Sequence, residues 1–139
     1  MLHRSLCLMS SEFKTLKGEC LCGEVSWELS GPYEFFGMCQ CSRCRKVTGA
    51  AFATNLFVKA NQFRWISGQD NTGQYTLEPP NTFGNAFCKK CGSRAPRFIP
   101  SKGWMLAPLG STMETPEIEP ILVCAKDHTD WFSGLEKIV

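Results

Sequence analysis

A chain of 139 residues with 43% hydrophobic content is long enough to bury one core, and its composition excludes disorder. A formal net charge of +2 is too small to argue for nucleic acid by itself, and no apolar run reaches the length that a membrane span needs. Nine cysteines without an export signal point to a reducing compartment, the cytoplasm, and to metal in place of disulfides.

The chain opens with Leu6-Cys7-Leu8-Met9, too short for the core of a signal peptide. Met9 is as good a start as Met1. Residues 1–16 are therefore expected to be a non-native or disordered leader, with Cys7 binding nothing, and residues 17–139 a single domain. Val25, Trp27 and Leu29 alternate with Ser26, Glu28 and Ser30, which predicts a half-buried strand stopped by Gly31-Pro32. Residues 33–38 are aromatic and predict another strand. A short helix is expected from Ser42, as its N-cap, to Gly49. Residues 51–59 predict a strand with Phe52, Thr54, Leu56 and Val58 on one face and Ala53, Asn55 and Phe57 on the other.

Phe63, Trp65 and Ile66 mark a short strand. Residues 67–74 read as a polar loop, and 75–77 resume a strand that Pro79-Pro80 breaks. Residues 82–88 carry Phe83 and Phe87 on one face and deliver Cys88. Two further strands are expected at 97–99 and 104–109, then a loop over 111–120. A last strand spans 121–124, and a helical turn is expected around Trp131, ended by Gly134. Many short strands between close turn signals predict a mainly β domain of short antiparallel strands. Trp27, Trp65, Trp104, Trp131, Phe52, Phe83 and Phe87 are expected in the core. Asn55 fits a satisfied core amide and a polar pocket residue equally well.

The chemistry sits in cysteines. Cys39, Cys41 and Cys44 fall within six positions, beside Arg43, Arg45 and Lys46. Residues two apart on a strand share a face, and residues three apart suit a zinc knuckle. The basic neighbours lower thiol pKa values and favour the metal-binding thiolate. Cys20 and Cys22 repeat the strand spacing. Cys88 and Cys91 repeat the knuckle, with Gly92 placed where a positive φ is needed.

Zinc takes four ligands, so seven thiolates suggest one closed site and one open site of three. The economical division closes Cys20, Cys22, Cys88 and Cys91 on one ion and leaves Cys39, Cys41 and Cys44 with a free position. Cys20 and Cys22 could equally pair with Cys41 and Cys44. The open position could be closed by Cys124, His128 or a carboxylate. A disulfide scaffold fits less well, because a bridge between strand positions two apart is strained.

Three motifs in order carry a resemblance. Gly18-Glu19-Cys20-Leu21-Cys22-Gly23-Glu24-Val25, with Gly31-Pro32 after it, resembles the opening of the glutathione-dependent formaldehyde-activating enzyme family. Cys39-Gln40-Cys41-Ser42-Arg43-Cys44-Arg45-Lys46-Val47-Thr48-Gly49 resembles its second motif, and Phe87-Cys88-Lys89-Lys90-Cys91-Gly92-Ser93 its third. The resemblance implies a single-domain β-tent fold with two zinc ions. The structural zinc would lie on Cys20, Cys22, Cys88 and Cys91, and the catalytic zinc on Cys39, Cys41 and Cys44. It also implies the joining of glutathione and formaldehyde into S-(hydroxymethyl)glutathione, classed with carbon–sulfur lyases for the reverse direction. Gln40 stands where many members have histidine, and Ile121-Leu122-Val123-Cys124 where many have His-Ile-Phe-Val. The family also holds relatives of centromere protein V without a settled reaction.

A three-thiolate zinc with an open position ionises an incoming thiol and polarises a small carbonyl. Arg43, Arg45 and Lys46 are the expected holders of the substrate's carboxylates. His128 is expected on the surface, not as a base. The partner expected is a small thiol such as glutathione, with no membrane. The rival reading is a zinc-stabilised binding module with both metals structural, to which Lys89-Lys90 would lend a nucleic-acid contact. The weak basic excess argues against nucleic acid. The oligomeric state is not legible.

Overall fold

The computed structural model describes residues 13–79 and 83–132, and the leader residues 1–12 and Gly134 lie outside them. Strand β1 (Thr15–Glu19) pairs antiparallel with β2 (Ser26–Ser30), setting Leu16 opposite Leu29 and Gly18 opposite Trp27. A Cβ on Gly18 would lie 2.5 Å from the Trp27 ring, so the indole occupies the space of a missing side chain. Thr15 and Leu16, on the leader side of Lys17, belong to this strand, and Leu16 is fully buried. Strand β2 continues the sheet to β5 (Phe63–Ser67), with Trp27 opposite Trp65.

A five-stranded sheet carries the rest of the core. Its order is β10 (Ile121–Val123), β3 (Phe35–Cys39), β4 (Ala53–Lys59), β9 (Trp104–Pro108) and β8 (Arg97–Ile99). Its pairings are antiparallel as expected, except that β10 runs parallel to β3. The two-faced pattern of β4 is real. Leu56 and Val58 are fully buried in the main core with Trp27, Leu29, Met105 and Ala107. Each such aliphatic side chain contributes on the order of 1.5–3 kcal/mol of transfer free energy. On the opposite face, Ala53 packs with Cys39, Cys41 and Cys44 in a second, smaller cluster.

A two-stranded ribbon of β6 (Thr72–Thr76) and β7 (Gly84–Cys88) completes the strands. β6 begins inside the expected polar loop, because residues 69–71 turn as a 3-10 segment and release the chain at Thr72. In β7 the buried residues are Gly84, Ala86 and Cys88, so Phe87 lies on the half-exposed face and not in the core. Trp131 is also misjudged as core, for it is 70% exposed. Phe52, Trp65 and Trp104 are half-buried; Trp104 packs on Phe57 with the Lys102 ammonium 4.9 Å from its ring centre.

The α-helix of the described residues, α1 (Ser42–Thr48), lies where the sequence predicts, with Gly49 as its left-handed C-cap. Its N-cap is Cys41 and not Ser42. The Cys41 sulfur accepts the Cys44 N–H, so a side chain of the cysteine triplet also serves as the cap. A 3-10 turn forms over Ala125–Asp127, and a second turn lies at Asp130–Trp131 as expected, with the Phe132 N–H donating to the Thr129 carbonyl at 3.4 Å. Among the described residues no helix is long and apolar enough to cross a membrane.

Candidate metal centres and the cavity beside one of them

Two groups of cysteine sulfurs converge, and they are the two that the economical division names. Cys20 and Cys22 come from the turn after β1, and Cys88 and Cys91 from the knuckle after β7; all four sulfurs lie within 4.8 Å of one another. The Cys20–Cys22 and Cys22–Cys88 separations are 3.5 and 3.8 Å. A tetrahedral ion with Zn–S bonds of about 2.3 Å needs sulfurs roughly 3.8 Å apart. These sulfurs are too far apart for disulfides and correctly placed for zinc. Gly92 takes φ +77°, the left-handed turn expected after the knuckle.

Backbone and hydroxyl groups support the thiolates. The Val25 N–H donates to Cys20 at 3.3 Å and the Asn71 amide to Cys88 at 3.5 Å. Ser93 Oγ accepts the Leu21 N–H at 3.0 Å and the Cys91 thiol at 3.2 Å; once that thiol is ionised, the contact reverses and the hydroxyl donates to the thiolate. The Ser93 hydroxyl and N–H hold the Cys91 thiol down to about 5. Lys90, a proposed nucleic-acid contact in the rival reading, forms an exposed ion pair with Glu24 at 2.7 Å.

The second group is Cys39 at the end of β3, with Cys41 and Cys44 at the start of α1. Its three sulfurs are buried and lie within 4.8 Å of one another. Burial opposes ionisation of Cys41, but the Cys44 N–H and the neighbouring thiols outweigh it and hold its pKa below the ordinary thiol value. Burial pushes the Cys44 thiol up. The donor set fits a soft, thiophilic ion such as zinc, with three protein sulfurs and space on the remaining side.

That space is a cavity of about 280 Å³ walled by Phe35, Phe57, Phe83 and Leu106 and bearing Arg43, Arg94 and Arg97. Among the described residues, no aspartate, glutamate or histidine lines it. Larger cavities exist, but the one bounded by residues 115–120 is remote from both cysteine groups. A groove of about 550 Å³ adjoins the triplet's cavity, sharing Phe83, Arg97 and Ile99 with it.

The three basic residues expected at the substrate part company. Arg43 lines the cavity, with its guanidinium carbon 5.6 Å from the Phe83 ring centre. Phe83 packs half-buried against the smaller core cluster and also lines the cavity. Arg45 turns back, its Nε donating to the Gln40 carbonyl at 3.1 Å. Lys46 is exposed on α1 and does not line the cavity. His128 turns to the Ala125 carbonyl at 3.1 Å.

Arg94 and Arg97 were not anticipated. Arg94 reaches the cavity from just beyond the knuckle, donating to Asn55 Oδ1 and Asn85 Oδ1 at 3.2 Å each. Asn55 therefore serves as the polar cavity residue, and it fixes a guanidinium. Burial pushes the pKa of Arg94 down, while the Cys44 thiolate pulls it back up. An arginine keeps its charge throughout.

Comparisons with known proteins agree with this geometry. Residues 15–124 match the family model described as glutathione-dependent formaldehyde-activating enzyme. A curated relative from Halomonas elongata, described as "Putative glutathione-dependent formaldehyde-activating enzyme", is 27% identical over 124 residues, covering 84% of this chain and 78% of the relative. The crystal structure of a Rhodobacter sphaeroides protein superposes with a TM-score of 0.58 at 22% identity, over 75% of this chain and 97% of that one, and so shares the fold. With its matched segment spanning both cysteine groups and nearly every strand, the chain belongs to the glutathione-dependent formaldehyde-activating enzyme family.

Proposed function

We propose that this protein catalyses the reversible addition of a small thiol, glutathione, to formaldehyde, a carbon–sulfur lyase reaction in the cleavage direction. The observation that carries the reading is the buried three-thiolate group opening on a cavity that bears three arginines and, among the described residues, no carboxylate. Cys20, Cys22, Cys88 and Cys91 would hold a structural zinc. Cys39, Cys41 and Cys44 would hold a catalytic one, which when bound supplies thiol ionisation and carbonyl polarisation.

The protein's own residues bind and orient. Arg43 and Arg94 meet the glutathione carboxylates by charge-assisted hydrogen bonds, and Arg97 extends this positive wall toward the adjoining groove. Arg45 braces the loop through the Gln40 carbonyl, and Lys46 adds charge outside the cavity. Phe35, Phe57 and Phe83 shield the reacting sulfur from bulk water. In the forward direction the thiol proton leaves to solvent and a C–S bond forms at the aldehyde carbon. The carbonyl π pair becomes an alkoxide, which takes its proton from water, since among the described residues no histidine or carboxylate lines the cavity.

The test is NMR exchange at equilibrium between glutathione and its formaldehyde adduct, with wild type, with Cys44→Ser and without protein. Faster exchange with wild type alone is expected. Equal rates in all three samples would sink the reaction and leave a binding module with two structural metals.

A further inference from the structure

The open side of the triplet has one unused metal donor. Cys124 lines the same cavity as Cys39, Cys41 and Cys44. Of the described groups able to close the coordination sphere, His128 is bound to the Ala125 carbonyl and no described carboxylate lines the cavity. Asn55 Oδ1 is occupied by Arg94.

The backbone presents this thiol deliberately. Val123, the end of β10, is in register with Cys39, and its carbonyl accepts the Gln40 N–H at 3.0 Å. Cys124 follows at φ 55°, ψ 45°, the one residue other than glycine with a positive φ among the described residues. A side chain held in the left-handed region is strained, and such strain gathers at functional positions. The Cys124 sulfur is not part of the set in which all sulfurs lie within 4.8 Å of one another. It stands beside the three ligands and is exposed, while they are buried.

We infer that Cys124 is a displaceable fourth ligand of the second metal centre, bound when the cavity is empty and released when a substrate thiol takes its place. The inference rests on the reading of the triplet as a metal site. It assigns the resting state four protein sulfurs and the working state three plus one from the substrate. The exchange is a ligand substitution: one metal–sulfur bond breaks as another forms. The incoming thiol gives its proton to solvent and the released Cys124 thiolate takes one from solvent, so the exchange consumes no oxidant and no net base.

Cobalt(II) in place of zinc reports the sulfurs directly, through thiolate-to-metal charge transfer. Wild type is compared with Cys124→Ser and Cys44→Ser, both as full chains. The Cys124→Ser protein is expected to bind two metals, with one thiolate's share of charge-transfer intensity missing. Its second metal should also be held more weakly in chelator competition, by more than the roughly tenfold that follows loss of an outer-shell partner. Added glutathione should restore the missing intensity. In metal-loaded wild type, iodoacetamide should modify Cys124 only after metal removal or glutathione addition, a readout that needs no variant.

Identical spectra and affinities for wild type and Cys124→Ser, or alkylation of Cys124 at the same rate with and without metal, would overturn the inference and leave the triplet intact as a three-sulfur site. Binding of a single metal by wild type, unaffected by Cys44→Ser, would overturn both the inference and the proposed function.

Discussion

The two cysteine groups are made of similar pieces and are held in different ways. In the closed group, Cys20 and Cys22 meet Cys88 and Cys91 across most of the domain, so an ion there ties β1 to β7. In the triplet, three ligands lie within one strand end and one helical turn, and an ion there ties the chain to itself over six positions. An ion that binds the folded state and not the unfolded chain stabilises the fold; one that can be chelated locally by the unfolded chain stabilises it far less. Under the proposed function, this chain separation suits the first group to a structural ion and the second to chemistry.

The largest expected effect follows from breaking the closed group. The apparent binding free energy of a structural zinc, about 10–16 kcal/mol in small domains, rivals the roughly 5–15 kcal/mol by which whole domains are stable. Cys88→Ser should therefore abolish cooperative unfolding in a thermal melt followed by circular dichroism. A sharp melt within a few degrees of wild type would contradict the assignment.

Cys44→Ser should do the reverse. It should lose one metal by elemental analysis and at least about a hundredfold in exchange rate, the scale of a lost catalytic electrostatic group, while its melting temperature moves little. Equal loss of stability in both variants would erase the distinction between the sites.

Within the cavity, Arg94→Met should lower kcat/KM for glutathione by about 10–100-fold, the worth of one or two hydrogen bonds to a charged group. Arg94→Lys should recover only part of this, because an ammonium cannot span Asn55 and Asn85 as the guanidinium does. Wild-type kinetics in Arg94→Met would remove it from the substrate site.

The smallest effect concerns protons. Metal leaves as its thiolates take up protons, so acid empties both sites. A thiol lowered to about 5 in the fold favours the charged form: its support is whole above the ordinary thiol value and is lost as pH falls through about 5. Ser93→Ala removes the hydroxyl that lowers Cys91, so the closed site should empty at a higher pH, by less than about one unit. A chelating dye followed through an acid titration reads this; an unchanged midpoint would show that the hydroxyl is immaterial.

What could be read from sequence was local. The knuckles, the helix between Cys41 and Gly49 and the alternation of β2 and β4 depend on neighbours a few positions apart, and all of them form. Strand β1 escaped notice because its inward positions are Leu16 and Gly18, and the apolar group filling the second is the Trp27 indole from another strand. Arg94 and Arg97 escaped because nothing near them in the chain says that β7 and β8 face the triplet. The signal present was an arginine three residues past a knuckle cysteine. Trp131 was placed in the core on hydrophobicity alone, which cannot tell an exposed ring from a packed interior, nor that Phe83 also walls a cavity.

The long reach of the closed group also has a temporal side. A ribosome releases Cys20, Cys22, Cys39, Cys41 and Cys44 before Cys88 and Cys91 exist. During that interval an ion meeting the nascent chain finds four sulfurs in the wrong combination, two from the first turn and two from the triplet. The knuckle after β7 must then win Cys20 and Cys22 back by ligand exchange. Early metal is thus a trap and late metal a guide. Refolding in a large excess of zinc should be slower than refolding at stoichiometric zinc, and cells that hold free zinc low would protect this chain while it is being made.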